Sequence, residues 1–157
     1  MTLTLFVPGK PFGKQRYKPI QGRRGVTPEK TVNYESLVVW GWIKKNKNRI
    51  IEASGYKFEI IACFLPPAGA SAEKKKAMLS GEILCTSGRN ADFDNMAKIC
   101  SDALNGIAYI DDKFIVIGSQ IKLYRPYQGV LIRLSTVDKI EPKLIEWVDR
   151  EIEKEGI

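Results

Sequence analysis

The chain has 157 residues, of which 44% are apolar and 27% charged, and its formal net charge is +7; this suits one soluble domain around a single core. No apolar run approaches the ~20 residues that cross a bilayer, and residues 1–7 carry neither a basic lead nor a small-residue cleavage site, so neither a membrane span nor a signal peptide is expected and the cytosol is the expected compartment. Histidine is absent and the three cysteines, Cys63, Cys85 and Cys100, lie far apart; a Cys/His zinc site is not expected, and acid–base chemistry falls to Asp, Glu, Lys, Tyr or metal-bound water.

Residues 2–7 (TLTLFV) alternate and stop at Pro8-Gly9, which reads as a strand running into a turn. Residues 9–27 are rich in Gly and Pro and carry Lys10, Lys14, Arg16, Lys18, Arg23 and Arg24, with Phe12 and Tyr17 interleaved. This reads as a long basic loop holding a short hairpin, and loops of that length in compact domains are usually functional. Thr27-Pro28-Glu29 predicts a helix start, with Thr27 as N-cap and Pro28 at the first helical position. That helix should reach about residue 46, with Tyr34, Leu37, Val38, Gly41 and Trp42 on its packed face.

Residues 56–65 predict a strand stopped by Pro66-Pro67, residues 71–79 a lysine-rich helix ended by Gly81, and 83–86 a short strand. A strong helix over 92–104 closes on Asn105-Gly106. Strands follow at 107–110, 114–124 and 129–137. A final, net acidic helix over about 142–155 should bury Leu144, Ile145, Val148 and Ile152. The order of elements predicts an α+β (mixed α/β) fold with helices packed against one mixed sheet: residues 1–137 form the domain, and 138–157 a helical extension packed on it.

The charge is polarised. Residues 1–50 hold eleven Lys and Arg against Glu29 and Glu35, whereas the remainder holds 14 basic and 16 acidic residues. Such asymmetry points to a polyanion at one end. The six basic residues of the loop suit a phosphate backbone followed without base reading, and Phe12 or Tyr17 suits stacking on an unpaired base.

Residues 92–112 hold the residues that suggest chemistry. With 94–105 on a helix, Met96, Ile99, Cys100, Ala103 and Leu104 share one face, and Asp94, Lys98 and Asp102 form an i, i+4, i+8 row on the other. Asp92 precedes the first turn, so two carboxylates gather at the helix N-terminus, a seat for a hard cation such as Mg²⁺ (Mn²⁺ substituting). Asp111-Asp112, between two predicted strands, can bring a third carboxylate, and Lys98 a positive charge for a phosphate. Each feature has a plain structural counterpart: Asp92 as an N-cap, Asp94–Lys98 as a surface ion pair, Asp111-Asp112 as a solvated turn, Phe93 as a packed ring.

The run DFDNMAKICSDALNGIAYIDD resembles the signature of the RusA family of Holliday junction resolvases through Asp92, Asp94, Asn95, Lys98, Asp102, Ala103, Leu104, Asn105, Gly106, Tyr109, Asp111 and Asp112. The opening VPGKPFGKQR and the segment IKLY also resemble that family, over about residues 3–133 in all. The resemblance implies a metal-dependent endodeoxyribonuclease acting on four-way junctions, a homodimer, and relatives common in phage and prophage regions. It implies that Asp92, Asp94 and Asp112 bind the metal, with Asp111 an alternative to Asp112, and that Lys98 is the essential basic residue. The chain departs from the pattern at Asn90-Ala91, where relatives often have Lys-Pro, and at Phe114, where a Gln often stands. A flap or fork nuclease, a non-catalytic DNA-binding protein and a purely structural domain are the rival readings.

Overall fold

A computed structural model describes residues 1–15, 18–20, 23–47, 49–86 and 92–156. The expectations placed on Arg16 and Tyr17, and the departure at Asn90-Ala91, fall outside the described residues, as do the side chains of Lys18, Arg23 and Arg24. Strand β1 (Thr2–Pro8) leads to a small antiparallel hairpin, β2 (Lys18–Ile20) and β3 (Arg23–Val26), and then to helix α1 (Glu29–Asn46). Strand β4 (Gly55–Phe64), helix α2 (Ala72–Ser80) and helix α3 (Phe93–Leu104) follow. A 3-10 turn (Asp112–Phe114), β5 (Ile115–Tyr124), β6 (Gly129–Val137) and α4 (Pro142–Lys154) complete the chain.

The main sheet has the order β1-β6-β4-β5, antiparallel except for the parallel β4–β5 pair. That parallel pair requires a crossover, which α2 and α3 supply. Side chains alternate across the sheet, so one face forms continuous rows. Leu5, Ile132 and Ile60 align across β1, β6 and β4 and are buried to 4%, 0% and 1% exposure. Against this face pack Val38 and Trp42 of α1 and the apolar side of α3. Gly129 lets β1 lie close: an added Cβ there would run into the Phe6 ring and come within 2.8 Å of the Val7 carbonyl.

The α+β fold with one mixed sheet is as expected, and most elements fall within one or two residues of their predicted bounds. Several local expectations fail, for physical reasons. Pro28, not Thr27, occupies the N-cap of α1, and no side chain caps it. Leu37 points outward at 45% exposure, because the packed row is Thr31, Val38 and Trp42. Residues 83–86 form no strand; Ile83 N–H donates to the Ala77 carbonyl and Thr86 N–H to Leu84, so the backbone is satisfied locally.

Residues 107–110 form no strand either. The Leu104 carbonyl accepts from both Ile107 and Ala108 N–H, and Gly106, at φ 71°, donates to the Tyr109 carbonyl. This tight turn uses the left-handed conformation that glycine adopts without a steric penalty. Finally, α4 buries nothing: Leu144, Ile145, Val148 and Ile152 stay 48%, 51%, 39% and 43% exposed. Among the described residues no helix is long and apolar enough to cross a membrane.

Candidate active site on the third helix

Helix α3 divides as its sequence predicts. Met96, Ile99, Cys100, Ala103 and Leu104 are all buried, at 7% exposure or less. Asp94 and Lys98 lie on the exposed side. Burial pushes the Cys100 thiol up to about 12, so this cysteine is a packing residue rather than a nucleophile.

Asp92 sits at the N-cap position yet makes no capping bond with its side chain. Its carboxylate instead accepts from Asn95 Nδ2 at 3.4 Å, and remains exposed. The capping role that would explain Asp92 by local structure alone is therefore not used. Asp94, in the first turn, is also exposed, and the Asp94–Lys98 ion pair does not form; Lys98 pairs with Asp102 at 3.5 Å. Lys98 keeps 61% of its side chain exposed, so donors on its ammonium still face solvent.

The basic loop comes to this helix. Lys14 N–H donates to the Asn95 carbonyl at 2.9 Å, and the Lys14 ammonium pairs with Asp102 and, at 3.0 Å, with Glu35 of α1. Burial lowers the Lys14 pKa, but hydrogen bonds to Asp102 and Glu35, with their charges, outweigh it and raise it overall. Expected on the DNA-facing surface, Lys14 is engaged inside the protein and fastens the loop to α3. Phe12 is likewise packed, 5.9 Å from the Tyr34 ring. Lys10 is exposed and remains a candidate for phosphate contact. Sequence reading missed Glu35 as a partner of Lys14, since nothing local links residues 14, 35 and 102.

The turn after α3 places the second acidic pair. Tyr109 is fully buried; its hydroxyl donates to the Ser101 carbonyl at 2.7 Å and its ring packs on Tyr56 and Phe58. Burial, then the negative charges of Asp112 and Asp102, raise the Tyr109 pKa. Asp112 thus lies within electrostatic reach of the Tyr109 hydroxyl. The two neighbours differ: Asp111 caps the 3-10 turn by accepting from Lys113 N–H at 2.9 Å, with the Lys113 ammonium 3.9 Å away. Asp112 is exposed, and although its backbone carbonyl accepts from Ile115 N–H, no hydrogen bond or ion pair engages its carboxylate among the described residues.

Among the described residues no three carboxylate or cysteine side chains converge closely enough to enclose a metal ion. Two exposed carboxylates without an ion pair at one helix start are nevertheless a fitting donor set for Mg²⁺, which takes one or two protein carboxylates and fills its shell with water and substrate phosphate. Phe93, between them, is 67% exposed and not a packed ring. Beside it a groove of about 500 Å³ runs between α3 and β5, with Asp94 and Lys98 among the residues that line it.

The family described as "Endodeoxyribonuclease RusA" matches residues 8–135. A comparison with curated proteins finds no match. The matched span includes β2 through almost all of β6, all four acidic positions and the basic loop, and ends before α4.

Proposed function

Because the chain belongs to the RusA endodeoxyribonuclease family, we propose that it hydrolyses phosphodiesters in branched DNA, resolving four-way junctions by paired cuts, with Mg²⁺ held by Asp92, Asp94 and Asp112. The observation that carries the site assignment is that Asp92, Asp94 and Asp112 are exposed and form no ion pair among the described residues, Asp92 accepting only a long bond from Asn95, while their neighbours Asp102 and Asp111 are committed to Lys14, Lys98 and the 3-10 turn. This favours Asp112 over Asp111 as the third ligand. A divalent cation bound there supplies the Lewis acidity and activated water that this histidine-free chain otherwise lacks.

The protein's own residues position the substrate. Lys98, one turn along from Asp94, neutralises a non-bridging oxygen of the scissile phosphate while Asp102 holds its stem over the helix. Lys10, with Arg16, Lys18, Arg23 and Arg24, follows the flanking backbone, and the Lys14–Asp102–Glu35 cluster keeps that loop against α3. Paired cuts on opposed strands need two sites, which a two-fold homodimer provides.

The test is incubation with a synthetic four-way junction, a replication fork and plain duplex in Mg²⁺. Symmetric nicks that a ligase can reseal, on the junction, are expected. Cleavage confined to the fork would transfer the activity to fork processing with the same residues, and no cleavage of any branched DNA would refute the nuclease reading.

A further inference from the structure

The inward rows of the sheet change character at the edge strand β5. Leu3, Leu134 and Phe58 align across β1, β6 and β4, and that row ends on Gly118. The neighbouring row, Leu5, Ile132 and Ile60, ends on Gln120. Where an apolar side chain would complete the core there is therefore a gap, then an amide. An added Cβ at Gly118 would meet no atom within 4 Å. The Gln120 Oε1 is enclosed, yet finds no hydrogen-bond partner among the described residues. A buried amide oxygen left unpaired is costly in a folded chain, and its persistence calls for a ligand or a role.

Both positions open into the groove beside α3. Phe58, Gly118 and Gln120 of the sheet line it on one side, and Phe93, Asp94, Ala97 and Lys98 of α3 on the other. Its contents can be deduced from its chemistry. The lining is mostly apolar, with the Phe58 and Phe93 rings, the Gln120 amide and the hydroxyls of Ser101 and Ser119, and Asp94 and Lys98 put it beside the proposed scissile phosphate. A nucleotide has this arrangement reversed: phosphate outside, flat apolar faces within, and hydrogen-bonding groups on the far edge of the ring. A base paired in duplex cannot enter, whereas one unstacked at a branch can.

We propose that this groove is a base-binding subsite that takes one unpaired nucleobase next to the scissile phosphate, stacked on Phe93 and read at its edge by the Gln120 amide. It rests on the nuclease reading above and adds to it a determinant of cleavage position. Gly118 supplies the room, and Gln120, the type of side chain that hydrogen-bonds base edges, supplies the discrimination.

The experiment uses a four-way junction library with randomised bases around the crossover, cleaved in Mg²⁺, with each cut mapped by sequencing. Wild type should favour one base over others at one position beside the cut by about tenfold, the scale of a good side-chain–base contact. Gln120→Leu should cut that preference to about twofold or less without lowering Tm, since an apolar side chain of similar size removes an unpaired amide. Gly118→Leu, which fills open space, should flatten the same preference; if that variant fails to fold, Gln120→Leu decides alone. No preference in wild type, or an undiminished preference in Gln120→Leu, overturns the subsite while leaving the nuclease intact. A lowered Tm with unchanged preference would mean that Gln120 is structural, and would also overturn it. Absence of any cleavage of branched DNA by wild type would overturn the nuclease reading and this subsite with it.

Discussion

Helices α3 and α4 are both sharply amphipathic, and the protein uses them in opposite ways. The apolar side of α3 is buried to 7% exposure or less, and its polar side carries the acidic site, Lys98 and the contact with the basic loop. Leu144, Ile145, Trp147, Val148 and Ile152 of α4 remain between 39% and 51% exposed. The difference lies in topology. A parallel β4–β5 pair forces its crossover back over the sheet, so α3 is pressed onto the core from both ends. Helix α4 follows β6 and does not bridge two paired strands, and it lies beyond the matched family region. An apolar stripe states that a helix needs cover; only the connections around it decide whether cover is present.

The contrast is sharpest in stability. Leu104→Ala, at a position with no exposure, should cost about 2–5 kcal/mol in chemical denaturation, whereas Ile152→Ala should stay within about 0.5 kcal/mol. Comparable losses at both sites would mean that α4 packs on the domain after all. Truncation after residue 140 serves the same comparison, and should leave the unfolding midpoint of the remaining domain almost unmoved.

A smaller version of the comparison divides Asp111 from Asp112. Asp112→Asn should lower junction cleavage about 100-fold or more, the scale of losing one electrostatic contributor to the transition state. Asp111→Asn should lower it only a few-fold, through a looser turn. Reversal of that order in a single-turnover assay would assign the third ligand to Asp111.

The weakest effect belongs to the polar side of α3. Lys14 has a raised pKa because Asp102 and Glu35 stabilise its charged form. Its contribution is fully present below the pKa of an unfolded lysine, about 10.4, and is lost as pH rises through the higher folded value. Urea midpoints of wild type and Lys14→Met should therefore differ at pH 8 and converge in strong alkali, while removing Lys154, an exposed partner of Glu151 on α4, should matter at neither pH. A constant gap for Lys14 would show that its packing, not its charge, holds the loop.

Much of this was legible in the sequence where the signal was local and periodic. The two faces of α3, strands β4 and β6 and the close at Asn105-Gly106 follow from spacing and turn chemistry. What escaped was non-local. The capture of Lys14 by residues 35 and 102 depends on α1 and α3 meeting, and the outward turn of Leu37 depends on which face of α1 the sheet selects. The stretch 107–110 has the composition of a strand, but its N–H groups are taken by the end of α3. The groove left one trace in the sequence: Gly118 and Gln120 alternate on the inward side of β5, where apolar residues would be expected.

The proposed metal chemistry rests most directly on Asp94. Asp94→Asn should be compared with wild type on one four-way junction, measuring nicking in Mg²⁺ and, in parallel, junction affinity without metal. Nicking should fall by about 1000-fold or more, to the level of wild type in excess chelator, while affinity stays within a few-fold. Full nicking by Asp94→Asn, or by wild type in chelator, would contradict that chemistry.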